Sequence, residues 1–432
     1  MRVLHNANVL PPEMDGSTIT ALAIQNGRIV DIGDDASILS RYGSIAEIEN
    51  MQGKTIWPGM VDAHIHIEQY ALNLASINCD TPTLQECLVR VKKRAVSSRP
   101  GTWILGHGWN QNNWAEGFGN ADLLDSAAPD NPVFLTSKSL HSAWVNSLAM
   151  QVAQITPLTA NPQGGIIQWN DAGKPTGILF ENAVELCQKA IPQPTPEELK
   201  ERLLEAQTNL SGLGITGVHD FDGPRCFSAL QLMEEEGSLH LRVVKGIKLD
   251  DMQAAISLGL RTGFGNEFLQ IGPVKLFADG ALGPQTAAMM QPYENDAANL
   301  GILQLNSNQV FEIGKAAVSS GLSLAVHVIG DRAIHEVLEG YRRLQDFSAE
   351  NHYPVMRHRV EHVQLIDPPD ISRFATNGIV ASMQPIHATS DMEMADRYWG
   401  ARSQHAYAWR IVMVIMDSGA YFIAFSTRLS MT

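Results

Sequence analysis

The chain has 432 residues, 44% of them hydrophobic, which is enough for one large folded domain with a smaller one beside it. Its formal net charge of −15 argues against nucleic acid as a partner. The start, Met1-Arg2-Val3-Leu4-His5-Asn6, lacks the apolar core of a signal peptide, and the apolar stretch 411–425 is interrupted by Asp417 and is short for a membrane span. Cys79, Cys87, Cys187 and Cys226 show no paired metal or redox spacing, so reduced thiols in a cytoplasmic protein without a membrane partner are expected.

In chain order, the alternation of 21–33 about Asn26-Gly27 predicts a hairpin. With 3–9 and 46–56 it predicts a small β-rich module over 1–57, closing at Pro58-Gly59. The strand Met60-Val61-Asp62-Ala63-His64-Ile65-His66 follows. Alternation puts His64 and His66 on one face and Val61, Ala63 and Ile65 on the other, where they read as packing. Two imidazoles on one strand face suggest half a metal site, and two hydrogen-bonded histidines are the plainer alternative.

From residue 60 onward, apolar strands alternate with helical patterns, as a parallel barrel requires, which predicts a barrel domain over 58–432. Candidate strands are 103–105, 215–220, 242–247, 270–278, 323–327, 359–363, 379–383 and 421–425. His107 and Trp109, between Gly106 and Gly108, suit a substrate pocket or a tight turn with a packed tryptophan. Residues from about 111 to 194 exceed a simple barrel loop and predict an inserted β-rich lobe. Within it His141, near Trp144 and Asn146, is a candidate to hydrogen-bond a substrate carbonyl. A helix over 195–213 starts at Pro196-Glu197-Glu198.

Lys275 stands inside the apolar run Val274-Lys275-Leu276-Phe277, unusual for a lysine. Desolvation favours its neutral amine, which can add carbon dioxide to give a carbamate able to bridge two cations. His327 ends 322–327, and His362 ends His358-Arg359-Val360-Glu361-His362. Four metal-capable positions near predicted strand ends place chemistry where a barrel puts it. Gln384 and His387 are further substrate-binding candidates. His219 ends a strand and reads as facing the barrel mouth or, as the default, as packing; Arg357-His358-Arg359 reads as a solvated face or salt bridges, and His5, His240, His352 and His405 as peripheral.

The pattern Pro-Gly-x-x-Asp-x-His-x-His, the strand lysine and the two later histidines resemble the amidohydrolase superfamily. Gly106 to Trp109, His141-Ser142-Ala143-Trp144-Val145-Asn146-Ser147, Lys174 to Glu181, Lys275 to Gly283, His327 to Ala333 and Gln384 to His387 narrow the resemblance to the branch with N-substituted formamide deformylases. It implies a TIM-like (β/α)8 barrel and a small β-sandwich whose second half comes from the carboxyl terminus. It also implies two divalent metals, zinc first. His64 and His66 would hold one, His327 and His362 the other, and carboxylated Lys275 would bridge them, with Lys275 and His327 counted as catalytic. Asp62 would orient the histidines. The implied activity is hydrolysis of a non-peptide carbon–nitrogen bond in a small molecule, and a homodimer is compatible with it.

The resemblance also expects Gly-Ser-Asp-[Ala/Ser]-Pro-Val after the last barrel strand, whereas Ser426-Thr427-Arg428-Leu429-Ser430-Met431-Thr432 carries no aspartate. These residues can be written TCG ACT CGC CTG TCT ATG ACN. Read from the G closing the first codon, the same bases encode Asp-Ser-Pro-Val-Tyr-Asp. A frameshifted or truncated ending lacking the later sandwich strands is therefore expected. Two other functions stay open: a metal-binding protein with impaired catalysis, and a related deaminase or lactonase.

Overall fold

The computed structural model describes residues 1–10, 18–138, 142–294, 296–409 and 422–424. Two compact units divide the chain at Met1–Met60 and Val61–Thr432. In the first, Asn26 and Gly27 take positive φ (51° and 75°), as a tight hairpin turn requires, and join Ala21–Gln25 to Arg28–Gly33 antiparallel. Arg2–His5 and Glu47–Asn50 complete a four-stranded sheet, and Asn8–Val9 pairs separately with Thr55–Ile56. Val3, Ala21 and Ala23 pack on Ile38 of the helix Asp35–Tyr42.

The second unit is built on eight strands: β1 (Met60–Ile65), β2 (Ile215–Asp220), β3 (Arg242–Lys248), β4 (Leu269–Phe277), β5 (Leu324–Val328), β6 (Arg359–His362), β7 (Val380–Met383) and β8 (Phe422–Ala424). They pair in sequence order, in parallel register from β2 to β8. Five strand spacings would set β1 and β6 about 24 Å apart in a flat sheet. Yet the Arg359 guanidinium on β6 donates to the Ala63 carbonyl on β1 at 2.7 Å. The sheet is therefore rolled into the α/β barrel that the alternating pattern predicts.

Alternation along the strands divides the barrel's interior from its helical jacket. Val274 and Leu276 of β4, Leu324, Val326 and Val328 of β5, and Val360 of β6 point outward. They pack on Val310, Ala317 and Val318 of the helix Ser307–Ser319 and on Ile334, Val337, Leu338 and Leu344 of Asp331–Glu350. Each such side chain contributes roughly 1.5–3 kcal/mol by leaving water. Lys275, His327, Arg359 and Glu361 occupy the alternate positions and face inward. The expected helix forms as Pro196–Gly212, started by a reciprocal cap between Thr195 and Glu198.

Residues 103–105 differ from expectation. They do not join the barrel. Ile104–Trp109 runs in a separate six-stranded sheet with Ile77–Asn78, Val133–Ser137, Ser142–Val145, Pro175–Glu181 and Gly165–Trp169. A short apolar run records burial, not the identity of its neighbours. Among the described residues, no helix is long and apolar enough to cross a membrane.

Candidate active site

β1 brings His64 to the mouth of the barrel, and His66 follows as the residue that opens the helix Ile67–Leu74. The two ring centroids lie 5.9 Å apart. His362 is 4.7 Å from His64 and 4.6 Å from His327, so rings from three strands meet. With Lys275, all four histidines line one cavity of about 600 Å³. Asp62, Tyr70, Phe277, Gln384, His387 and Asp391 line it as well.

His362 reaches this cavity through an unusual backbone. Alternation after inward-facing Arg359 and Glu361 would send His362 outward with Val360. Instead His362 and Val363 both take positive φ, 73° and 48°. A left-handed conformation is costly for any residue but glycine, and most of all for a β-branched one such as Val363. Val363 holds it because its side chain is fully buried in the core. The cost falls where the chain must turn a ring into the cavity.

Each histidine has one ring nitrogen committed to a partner. His64 Nδ1 lies 2.8 Å from Glu361 Oε2, and His66 Nδ1 lies 3.0 Å from Asp222 Oδ1. His362 Nδ1 lies 2.6 Å from Gln384 Oε1, and His327 Nε2 lies 2.9 Å from the Gly280 carbonyl. These partners are acceptors, so the facing nitrogen carries the proton. The lone pair is then left on Nε2 of His64, His66 and His362 and on Nδ1 of His327.

Burial lowers the pKa of both His64 and His327 to about 4. It also lowers that of His362 well below the ordinary value, with His327 adding to the effect. These rings are neutral near pH 7, the state in which imidazole binds metal.

Lys275 carries a buried amine into the site. It is 5% exposed, and its Nζ has no hydrogen-bond partner. It faces the Phe277 and Phe221 rings at 4.8 and 5.3 Å. Burial lowers its pKa to about 8, which enriches the neutral amine. An orphaned, buried amine beside three neutral imidazoles and His66 fits a cation site better than an apolar core, and the donor set suits zinc and similar ions.

Beneath the histidines lies a buried ionic layer. Arg359, expected in a solvated run or a salt bridge, is 5% exposed and ion-pairs with fully buried Glu361. His358, expected in the same run, is 3% exposed, so the solvated face does not form. Although burial opposes ionisation, Arg359 and His64 hold the Glu361 carboxyl far below the usual range. Sequence reasoning passed over Glu361. The signal was its spacing two residues from Arg359 in a buried strand, which puts both on the inward face.

Asp222, also missed, donates nothing but accepts from His66 and from the Glu68 amide at 2.7 Å; burial raises its pKa to about 6. Asp220, Asp222 and Cys226 cluster closely enough to suggest a second cation site. The chain supplies that cation itself: Lys245 Nζ is 2.9 Å from Asp220 Oδ2 and 2.5 Å from the Asp222 carbonyl.

The other expected site residues are scattered. Gln384 and His387 line the cavity, and Asp62 does too while accepting from the His64 amide at 3.0 Å. Trp109 is 1% exposed in the core of the six-stranded sheet, where its indole donates to the Leu135 carbonyl at 2.8 Å. His107 is half-buried on the same strand, and neither residue lines the cavity. His219 packs against the Arg359 guanidinium. His141 and the segment after Ala424, where the resemblance expects an aspartate, lie outside the described residues.

Residues 47–416 match the model of the Amidohydrolase family. The chain is 31% identical over 394 residues to the protein LONG AFTER FAR-RED 3 of Arabidopsis thaliana, covering 88% of this chain and 67% of that one. It is 27% identical over 437 residues to an N-substituted formamide deformylase of Arthrobacter pascens, covering 96% and 78%. Among solved structures, an uncharacterized metal-dependent hydrolase from Pyrococcus furiosus superposes with a TM-score of 0.82 at 26% identity, covering 98% of this chain and 85% of that one.

Proposed function

The chain belongs to the amidohydrolase family, a metal-dependent hydrolase by its relatives, and from that premise we propose that it cleaves the carbon–nitrogen bond of a small N-substituted amide. His64 and His66 would hold one divalent cation, and His327 and His362 a second. Lys275 would join them as a carbamate, its neutral amine adding to carbon dioxide as the N–C bond forms and one proton leaves. When bound, such a pair of cations polarises a carbonyl and makes water nucleophilic near neutral pH.

The protein's own groups do the rest. Phe277 and Tyr70 give the cavity apolar wall for an N-substituent. Gln384 and His387 lie beside His362 and offer hydrogen bonds to a carbonyl or amide. The amide substrate class leans on the deformylase relative; the observation that carries the reading is the set of four histidines with assigned lone pairs around the orphaned Lys275 amine.

The test is a metal-stripped sample assayed on N-substituted formamides and acetamides, before and after zinc or manganese is restored with bicarbonate. Amine release that appears only with metal supports the proposal. Full metal occupancy without amine release, or turnover confined to lactones or amino-heterocycles, overturns it.

A further inference from the structure

The four candidate ligands do not have equal partners. His327 and His362 lean on a neutral carbonyl and a neutral amide, Gly280 and Gln384. His64 alone leans on a carboxylate that is fully buried. That carboxylate, Glu361, is itself ion-paired with Arg359, whose Nη2 donates to Oε2 at 3.1 Å and whose Nε lies 2.8 Å from Oε1 without hydrogen-bond alignment.

Arg359 is over-determined in turn. Its Nη2 also donates to the Ala63 carbonyl at 2.7 Å and meets Ser382 Oγ at 2.9 Å, and its Nη1 abuts His219 Nδ1. One planar guanidinium therefore joins β1, β2, β6 and β7 across the barrel interior. It fixes the carboxylate next to a ligand on the first strand. Isolated burial of an ion pair brings little net stability, because desolvation offsets the attraction. The retained charge needs a use that packing does not explain.

We infer that the Arg359–Glu361 pair is a positioning device for His64: it locks the ring's orientation, keeps the proton on Nδ1 and strengthens Nε2 as a donor. The metal position that includes His64 is consequently held more tightly than it would be without the pair. This rests on the metal-site reading above. A carboxylate behind a ligating histidine raises the ligand's basicity, and its loss costs about 10- to 100-fold in metal affinity. Glu361 and Arg359 touch neither substrate nor metal in this arrangement and act only through His64.

The test measures zinc affinity of metal-free protein by competition with a chelating dye, beside the thermal midpoint of the same metal-free sample. Glu361→Gln keeps the volume and an acceptor but removes the charge. Arg359→Lys keeps the charge but loses the fork that spans the strands. Both are expected to bind zinc about 10- to 100-fold more weakly while remaining folded. Should either fail to fold, Ser382→Ala decides, because it removes one neighbour of Arg359 and leaves both charges; a severalfold loss of zinc affinity is expected. Folded variants with wild-type affinity overturn the inference. Wild-type protein that binds no zinc overturns the metal reading instead, and the two failures are thereby distinguished.

Discussion

The Gly280 carbonyl stands 2.9 Å from His327 Nε2, and it reverses the donor nitrogen of that one ring. A carbonyl only accepts, so His327 keeps its lone pair on Nδ1, while His64, His66 and His362 keep theirs on Nε2. The loop that supplies Gly280 is thus part of the site, although it contributes no ligand. Asp279, next to it, accepts from the Ala288, Ile329 and Gly330 amides at 2.9, 3.0 and 2.8 Å and ties this loop to the one after β5.

Asp279→Asn tests that clasp. The amide offers one acceptor oxygen to three N–H groups and turns its own donors toward some of them. A loss of about 1–3 kcal/mol is expected for each amide left unpaired. Denaturant unfolding should show it, and weaker metal retention should accompany it as His327 loses its fixed carbonyl. An unchanged unfolding midpoint would mean that the loop is held elsewhere.

Lys275→Met separates function from fold. Methionine fills similar space against Phe221 and Phe277 without a buried amine, so the metal-free protein should melt at or above the wild-type temperature. Bound metal should fall and turnover drop by about three orders of magnitude, the scale of losing several kcal/mol of transition-state stabilisation. Metal analysis and steady-state rates on the same samples check this. Wild-type turnover in the variant would remove Lys275 from the chemistry.

Trp109→Phe distinguishes the two sequence readings of Trp109. The ring sits stacked on Trp114 with centroids 6.2 Å apart, and its N–H satisfies the Leu135 carbonyl. Losing that donor should cost about 1–3 kcal/mol and lower Tm, with KM and kcat unchanged. A raised KM at unchanged Tm would restore the substrate role.

Stability of the metal-free protein should depend on its buried histidines. Burial brings His358, like His64, His219 and His327, from 6.5 to about 4. Below pH 6.5 the unfolded chain takes up protons that the fold refuses. Each group's contribution is thus fully present above 6.5 and is lost as pH falls toward 4. Buried Asp279 and Asp222, raised to about 7 and 6, act in the opposite sense, so a single-site variant isolates the effect.

His358 Nδ1 accepts from the Leu324 amide at 3.1 Å, far from the cavity's ligands in role. His358→Asn retains an acceptor that does not titrate. Its unfolding free energy should decline less between pH 7 and 4.5 than the wild type's, by up to about 3 kcal/mol. Parallel pH profiles would contradict the assignment.

Much of the fold was legible because strand alternation and helix caps are local signals: the Asn26-Gly27 hairpin of the first unit and the capped helix Pro196–Gly212 of the second form as the pattern predicts. His64 and His327, within their strands, were legible for the same reason. Residues 103–105 were assigned to the barrel because an apolar run does not name its partner strand. The positive φ of His362 and Val363 was unreadable, since a β-branched residue such as Val363 disfavours it and it is held by tertiary contacts, the buried Val363 side chain and the Val363 amide's bond to the Val328 carbonyl among them. Arg359 and Glu361 were obscured because charges beside a histidine read as surface until inward alternation is applied to the whole strand.

The most direct test of the central claim is a crystal of the zinc- and bicarbonate-reconstituted protein, with anomalous scattering recorded at the zinc edge. Two peaks about 3.5–4 Å apart are expected, one against His64 and His66 and one against His327 and His362, with carbamate density on Lys275 Nζ. Zinc at Asp220, Asp222 and Cys226, or an unmodified Lys275 with no zinc at the histidines, would contradict the account.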